Sequence, residues 1–428
     1  MANRFRSEKT ATLGGVSIDE INCAQINLKG IVRKTPLDFN ANLSRQFEAN
    51  ISLKREDLQI VRSYKLRGAY NKIVQLAEQE KQNGVICASA GNHAQGVAYS
   101  CQQLNIKGKI VMPTTTPQQK IKQVKWFGKE HIEIILHGDT FDDASAYAHQ
   151  LSIENHITFI HPFDDEKVIA GQGTVALEIL EENNAPIDYI FVPIGGGGLA
   201  SGIISVFKSF SPNTKIIGIE PNGASSMAEA IKHNKATALK KIDPFVDGAA
   251  VKKVGEKTFK ICSDGLTSTY AVPEGKVCST ILRLYNEDAI VVEPAGALSV
   301  AALDFFKEEI KGKNVVCILS GSNNDITRME EIKERSLQYE GLKHYFIISF
   351  PQRAGALKEL VNDVLGKNDD ITYFQYIQKN NKETGPAVVG VELDKKEDFE
   401  HLIYRLENHH FDYQYLNTDN TLFSLMIG

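Results

Sequence analysis

Between about residue 15 and residue 325, short apolar runs alternate with helical patterns, and no other feature limits the fold of this chain so strongly. The strand candidates are Ile51–Arg55, Gly84–Ser89, Lys107–Met112, Ile132–His137, Ile157–His161, Asp188–Ile194, Lys215–Glu220 and Asn314–Leu319. Most are rich in Val and Ile and bounded by turn residues, as parallel strands buried on both faces tend to be. Helical patterns fall between them at Leu66–Glu80, Asn92–Asn105, Pro117–Gly128, Thr140–Glu154, Gly173–Glu182 and Leu199–Ser209. This alternation predicts a parallel α/β architecture in two lobes, the smaller at about residues 55–155.

The rhythm changes after Asn324. Asp325–Glu340 is a charged amphipathic stretch that reads as a neck helix, placed at 325–341. A strand His344–Phe350, helix Gly355–Leu365, strands Asp370–Gln378 and Ala387–Leu393, helix Lys396–Glu407 and strand Phe411–Leu416 follow. That β-α-β-β-α-β order is the ferredoxin-like plan. The expected organisation is a flexible tail at 1–14, an α/β domain at 15–324, the neck, and a separate α+β domain at 342–428.

Composition closes off several function classes. A formal charge of -5 gives no electrostatic footprint for nucleic acid or an anionic membrane. No apolar run approaches the roughly 20 residues that a membrane span needs. The first 14 residues carry Arg4, Arg6 and Lys9 without a hydrophobic stretch, so they do not read as a secretory signal. The six cysteines form no C-x-x-C pair, and several sit in apolar runs, which fits reduced, buried thiols of a cytoplasmic protein. The eleven histidines are scattered without an H-E-x-x-H, so no metal site is expected.

The apolar run Asp188–Ile194 ends in Gly195, Gly196, Gly197 and Gly198, and a helix pattern begins at Leu199. Consecutive glycines let backbone N–H groups converge, and the following helix N-terminus favours an anion, so the segment reads as a phosphate site. An ordinary tight turn would not need four glycines, each costly in chain entropy. Gly195, Gly197 and Ala200 also fit a dinucleotide G-x-G-x-x-A pattern, with Glu220 closing the next strand. Walker-type nucleotide binding fails, because no Gly-Lys-Ser/Thr follows.

Three further segments bear chemistry. Lys65 stands at the start of a helix in Arg62–Ala69 (R-S-Y-K-L-R-G-A); by itself such a lysine reads as a solvated surface residue. Ser89, Ala90, Gly91, Asn92 and His93 lie between a strand end and a helix start, where N–H donors, a hydroxyl and an amide suit a carboxylate. An ordinary capped turn is the plainer reading. Leu319–Asn323 (L-S-G-S-N) follows the last buried strand, outside the carboxyl end where open α/β sheets place ligands.

Taken in order, S-Y-K-L-R-G-A, S-A-G-N-H-A-Q-G, the tetraglycine, E-P-A-G-A at Glu293–Ala297 and L-S-G at Leu319–Gly321 resemble the fold type II, or β-family, pyridoxal-phosphate enzymes, the threonine dehydratases in particular. The resemblance runs from about residue 15 to the end and implies the two-lobed fold type II architecture with pyridoxal 5'-phosphate as cofactor. It implies that Lys65 forms the Schiff base, Tyr64 (more often Phe in the family) packs near the pyridine ring, and Gly195 to Gly198 hold the phosphate. Asn92 would meet the ring hydroxyl and Ser320 the pyridine nitrogen. Ser89, Ala90, Gly91 and Asn92 would receive the substrate carboxylate. A dinucleotide-dependent oxidoreductase explains only one of these five motifs.

The reaction implied is deaminating dehydration of L-threonine to 2-oxobutanoate, with L-serine as the alternative substrate. Lys65 would act as the general base. A neutral Ser320 hydroxyl would not hold the ring nitrogen protonated, which favours prompt loss of a β-substituent over a long-lived carbanion. The related serine racemases carry a second serine where this chain has Ala90, which disfavours racemisation. Their divalent-metal site pairs a Glu with an acid six residues on; here the residues are Glu220 and Ser226. The C-terminal domain resembles the ACT-like regulatory domain of biosynthetic threonine dehydratases, with Arg353, Gly355 and Ala356 as candidate effector residues and isoleucine as the expected inhibitor. A plain dimerisation domain is the alternative. The family further suggests a homo-oligomer, tetramer or dimer.

Overall fold

Buried apolar strands carry the α/β architecture in the computed structural model, which describes residues 16–183, 185–376 and 383–418. Its contacts divide the chain into Met1–Ile326 and Thr327–Gly428. The tail expected at 1–14 lies outside the described residues.

The first unit holds two sheets. The larger contains β1 (Leu37–Phe39), β2 (Asn50–Arg55), β7 (Tyr189–Pro193), β8 (Lys215–Pro221), β9 (Ser268–Val272) and β10 (Asn314–Leu319), in the order β1-β2-β10-β7-β8-β9. All neighbours are parallel except β1, which runs antiparallel to β2. The smaller sheet contains β3 (Val85–Ala88), β4 (Gly108–Met112), β5 (Ile132–Leu136) and β6 (Thr158–Phe159), parallel throughout in the order β5-β4-β3-β6. Every residue of β3 and β7 is buried, which explains why these strands read as unbroken apolar runs. Helices cover the large sheet, and Ile169, Val175, Ile203, Phe207, Ile190 and Val192 build its core.

The sequence does not announce β1 or β9. Both are edge strands, and Ser268–Val272 is only partly buried, so neither carries a continuous apolar run. The helix expected over Leu66–Glu80 is two, Lys65–Val74 and Glu78–Asn83. The break is local: Gln75 Nε2 donates to Asn71 O at 2.8 Å, and Glu80 accepts the Ala77 N–H at 2.8 Å. The helix expected from Gly173 begins at Glu166, capped by Asp165 through the N–H groups of Lys167 and Val168. Gly171 is interior to that helix because a Cβ there would stand 2.5 Å from Arg67 O.

The second unit begins with helix Met329–Tyr339 and contains β11 (Lys343–Pro351), β12 (Asp370–Tyr376), β13 (Thr384–Glu392) and β14 (Asp412–Tyr415). They form one antiparallel sheet in the order β12-β13-β11-β14, the ferredoxin-like arrangement. Phe346, Ile348, Val389, Leu402 and Leu406 fill its core, with helix Asp398–Asn408 supplying the leucines. Residues 377 and 378 of the expected strand lie outside the described residues. The helix expected at Gly355–Leu365 is α-helical only over Ala356–Glu359, then π-helical over Leu360–Val364. All six cysteines are free; five are buried as expected, whereas Cys23 is exposed.

Candidate active site

Three adjacent strands deliver the chemistry to one edge. β2, β10 and β7 are neighbours, and the chain continues from their carboxyl ends into the Lys65 segment, Ser320 and the tetraglycine. The loops are stitched together: the Tyr64 N–H donates to Ser320 O at 3.2 Å, the Ser322 N–H donates to Arg62 O at 2.9 Å, and Ser63 bridges Gly321. Ser89–His93 arrives from the small sheet, at the end of β3.

Lys65 opens helix Lys65–Val74, and its Nζ donates to Pro162 O at 2.8 Å, 5.4 Å from the centroid of the Tyr64 ring. Burial pushes its ammonium down to about 8, although the Glu293 carboxylate pulls the other way. The surface-lysine reading therefore fails. Two positions further along the helix, Arg67 is buried and donates to both Glu56 and Glu178. Lys54 Nζ meets Glu178 at 2.7 Å. This buried cluster of two cations and two carboxylates anchors the helix that carries Lys65.

The tetraglycine makes a cradle that side chains would fill. A Cβ on Gly196 would lie 2.2 Å from the Phe163 ring, and Gly197 combines φ 91° with a Cβ position 2.8 Å from Met227 Cε. Among the described residues, the N–H groups of Gly195 to Leu199 donate to no protein acceptor, while the Ser201 N–H begins the helical pattern with Gly197 O at 2.8 Å. Thr258 Oγ1 donates to Gly196 O at 2.6 Å and turns that carbonyl away from the donors' task. A run of unspent N–H groups at a helix N-terminus fits a phosphate.

Ser320 is buried, and its Oγ donates to Ala295 O at 3.3 Å. Ser89 Oγ accepts the Gly91 N–H at 3.2 Å, and helix Asn92–Leu104 starts there. The N–H groups of Ala90, Asn92 and His93 have no acceptor among the described residues, which leaves them to an incoming carboxylate. Asn92 Nδ2 donates to Glu293 Oε1 at 2.6 Å, and Asn92 Oδ1 accepts from Asn323 Nδ2 at 2.6 Å. E-P-A-G-A and L-S-G-S-N contain Glu293 and Asn323, to which the sequence by itself assigns no role. A glutamate directly before a helix-starting proline, in an apolar setting, was the available signal.

Two histidines flank the site in neutral form. Burial pushes His93 down to about 3 and His161 to about 4, with Lys65 adding to both effects. His161 Nδ1 accepts the N–H groups of Phe163 and Asp164. Asp164 in turn accepts those of Glu256, Lys257 and Thr258, capping helix Glu256–Gly265. Glu220 is buried and spent on the Met227 and Ala228 N–H groups. No cluster of metal-ligating side chains occurs among the described residues, and no helix there is long and apolar enough to cross a membrane. The dinucleotide pattern loses its expected acid, since Glu220 is occupied as a helix cap.

The effector candidates lie between β11 and the helical run that begins at Ala356. Arg353 Nη2 is paired with Glu359 Oε2 at 2.5 Å, and Gly355, φ 91°, precedes only the four-residue helix at Ala356.

The glycine cradle, its unspent N–H groups and the half-buried lysine fit pyridoxal phosphate, and the comparisons agree. Residues 28–321 match the family described as pyridoxal-phosphate dependent enzyme, and residues 334–426 match the C-terminal regulatory domain of threonine dehydratase. The chain is 59% identical over 415 residues to the biosynthetic L-threonine dehydratase of Halalkalibacterium halodurans, covering 97% of this chain and 100% of that protein. It is 57% identical to the Bacillus subtilis counterpart over 412 residues, 96% of this chain and 98% of that one. Among solved structures, the processed form of threonine deaminase isoform 2 from Solanum lycopersicum superposes with a TM-score of 0.70 at 40% identity, covering 76% of this chain and 95% of that one. Maize serine racemase also gives 0.70, at 29% identity, over 76% of this chain and 99% of its own. The chain belongs to the pyridoxal-phosphate dependent enzymes and, within them, to the biosynthetic threonine dehydratases.

Proposed function

We propose that this chain converts L-threonine to 2-oxobutanoate and ammonia, with Lys65 as the proton-transfer group, and that its C-terminal unit senses isoleucine. The observation that carries the catalytic part is the half-buried Lys65 amine, which donates to Pro162 O next to the Phe163 that packs on the tetraglycine, follows the Tyr64 that donates to Ser320 O, and faces the Glu293 that holds Asn92. Pyridoxal phosphate, when bound, supplies the electron sink that makes the substrate's α-proton removable. The residues supply the rest. The N–H groups of Gly195 to Leu199 would hold the phosphate, and those of Ala90, Asn92 and His93, with Ser89, would hold the substrate carboxylate. With its ammonium pushed down to about 8, Lys65 carries an appreciable neutral fraction at neutral pH and can accept a proton. Ser320 offers a hydroxyl rather than a carboxylate, so it cannot hold a ring nitrogen protonated. That favours departure of the β-hydroxyl over prolonged carbanion chemistry. The water lost at the β-carbon returns when the amine is released, so substrate and products balance.

Ala90 favours this reading over racemisation, because its methyl side chain has no proton to move. The methyl that separates threonine from serine is worth only about 1–3 kcal/mol in a pocket, so serine is expected as a slower substrate. The regulatory reading is supported by the match of residues 334–426 to the threonine dehydratase regulatory domain. On the family resemblance alone, we expect a cytoplasmic homo-oligomer, tetramer or dimer.

The test is the initial rate of 2-oxobutanoate formation from L-threonine, with and without isoleucine. Turnover suppressed by isoleucine, and insensitive to it in a truncation ending near Glu340, is the expected result. Lys65→Ala should abolish turnover together with the visible absorbance of the bound cofactor. A truncation that stays folded and fully inhibited would overturn the sensor, and an active Lys65→Ala would overturn the chemistry.

A further inference from the structure

Glu293 is buried, at 4% exposure, yet it forms no ion pair among the described residues, unlike the carboxylates of the Arg67 cluster. Burying a lone carboxylate is costly, so the fold must place it deliberately. It directly precedes helix Pro294–Ala301, and its N–H donates to Gly321 O at 3.2 Å. Two glycines make room for it: a Cβ on Gly321 would stand 2.5 Å from Oε1, and one on Gly248 would stand 3.4 Å away.

What the carboxylate touches is Asn92. A directional chain runs through the site: Asn323 Nδ2 donates to Val61 O at 2.9 Å and to Asn92 Oδ1 at 2.6 Å, and Asn92 Nδ2 donates to Glu293 Oε1 at 2.6 Å. While Glu293 is ionised, every polarity is forced. A carboxylate only accepts, and both Nδ2 hydrogens of Asn323 are committed, so a flipped Asn92 amide would face oxygen with oxygen and nitrogen with nitrogen. Asn92 has a second Nδ2 hydrogen, and the described residues offer it no acceptor.

We propose that Glu293 is a positioning residue, which locks the Asn92 amide so that its second N–H is presented to the ring oxygen of the bound cofactor. This rests on the assignment of Asn92 to that oxygen in the proposed function. The charged and titratable groups facing Glu293 are Asp247, Lys120, Lys65 and Tyr64. Burial first, and Asp247 second, push its carboxyl up to about 7, while Asn92, Lys120 and the Asn323 amide oppose the rise. Protonation would let the group donate as well as accept, so the lock weakens as pH falls through that value.

The experiment is a double-mutant cycle on Glu293→Gln and Asn92→Ala, reading pyridoxal-phosphate affinity of the apoenzyme by absorbance titration alongside kcat and KM. Glu293→Gln keeps the shape but can flip, and it should weaken cofactor binding roughly tenfold, the factor for one lost hydrogen bond. In the Asn92→Ala background the same change should add little, because its route is gone. Asn323→Ala, which frees the other end of the amide, should weaken binding in the same direction. The pH dependence of the bound cofactor's visible spectrum near neutrality should disappear in Glu293→Gln. Additive losses in the cycle, or wild-type affinity and spectra in Glu293→Gln, would overturn the proposal while leaving the function intact. An unmodified chain that binds no pyridoxal phosphate would instead overturn the function itself.

Discussion

Replacing Arg67 by Met should cost the first unit about 3–5 kcal/mol, the range for removing one partner of a buried ion pair. Arg67 donates to Glu56 through Nε and Nη2 at 2.9 and 2.7 Å, and to Glu178 through Nη1 and Nη2 at 2.7 and 2.9 Å. Without it, Glu178 keeps its ion pair with Lys54, but Glu56 keeps only the Thr35 hydroxyl as a hydrogen-bond partner and the more distant Lys54 charge. The loss therefore centres on one uncompensated, fully buried carboxylate. In the wild type, burial would raise the Glu56 carboxyl, but Arg67 and Lys54 hold it below the usual range, and the stability this gives fades as pH falls. In the variant, burial acts unopposed by Arg67, the carboxyl rises, and stability instead fades as pH climbs. Both effects widen the gap at high pH and narrow it in acid. Urea unfolding followed by far-ultraviolet circular dichroism should thus show a larger deficit at pH 8 than at pH 5, and Glu56→Gln should recover part of it at pH 8. A loss under about 1 kcal/mol, or one equal at both pH values, would refute this account of the cluster.

Gly196→Ala places a methyl 2.2 Å from the Phe163 ring, so the cradle must distort by an overpacking cost of about 1–3 kcal/mol, and pyridoxal-phosphate affinity should fall roughly tenfold in an absorbance titration. Ala90→Ser adds a hydroxyl beside the carboxylate donors and should admit some racemisation; chiral chromatography that finds only L-substrate recovered would count against the role given to Ala90. Two buried carboxylates, Glu220 and Glu293, are each pushed up to about 7 by burial, so their stabilising effect is complete below the unfolded value and lost as pH rises through neutrality. Thermal unfolding should therefore show Glu293→Gln gaining on the wild type between about pH 5 and 8, and an unchanged difference across that window would contradict the shift.

The sequence was most informative where burial is complete. β3, β7 and β10 are buried nearly throughout, and each shows as an apolar run with its functional turn directly after it. Ser89–Asn92, the glycines and Ser320 could be placed for that reason, whereas Lys65 follows the half-buried β2 after a further turn and shows only through its motif. The edges were silent, because Leu37–Phe39 and Ser268–Val272 owe their strand form to neighbours far away in the chain. The start of helix Glu166–Glu182 is masked by Gly171 and Gly173, which serve close packing rather than turning. Glu293 was missed for a related reason. Its partners Asn92 and Asn323 are 201 positions before it and on a separate loop after it, and only folding shows that a solitary glutamate faces amides.

The segment that follows β6 has a mechanical consequence. Phe163 packs on the glycine cradle, and Asp164 accepts three N–H groups from the start of helix Glu256–Gly265, so the small lobe is pinned on the phosphate side. Elsewhere between the lobes, Lys120 of the small one meets Asp247 of the large one at 2.5 Å, with both side chains partly in solvent. An ion pair of that kind is worth about 0–1 kcal/mol and is screened by salt. What holds the two lobes in register is therefore the uncharged stitching at Phe163 and Asp164, which salt does not screen, and not the ion pair at the surface.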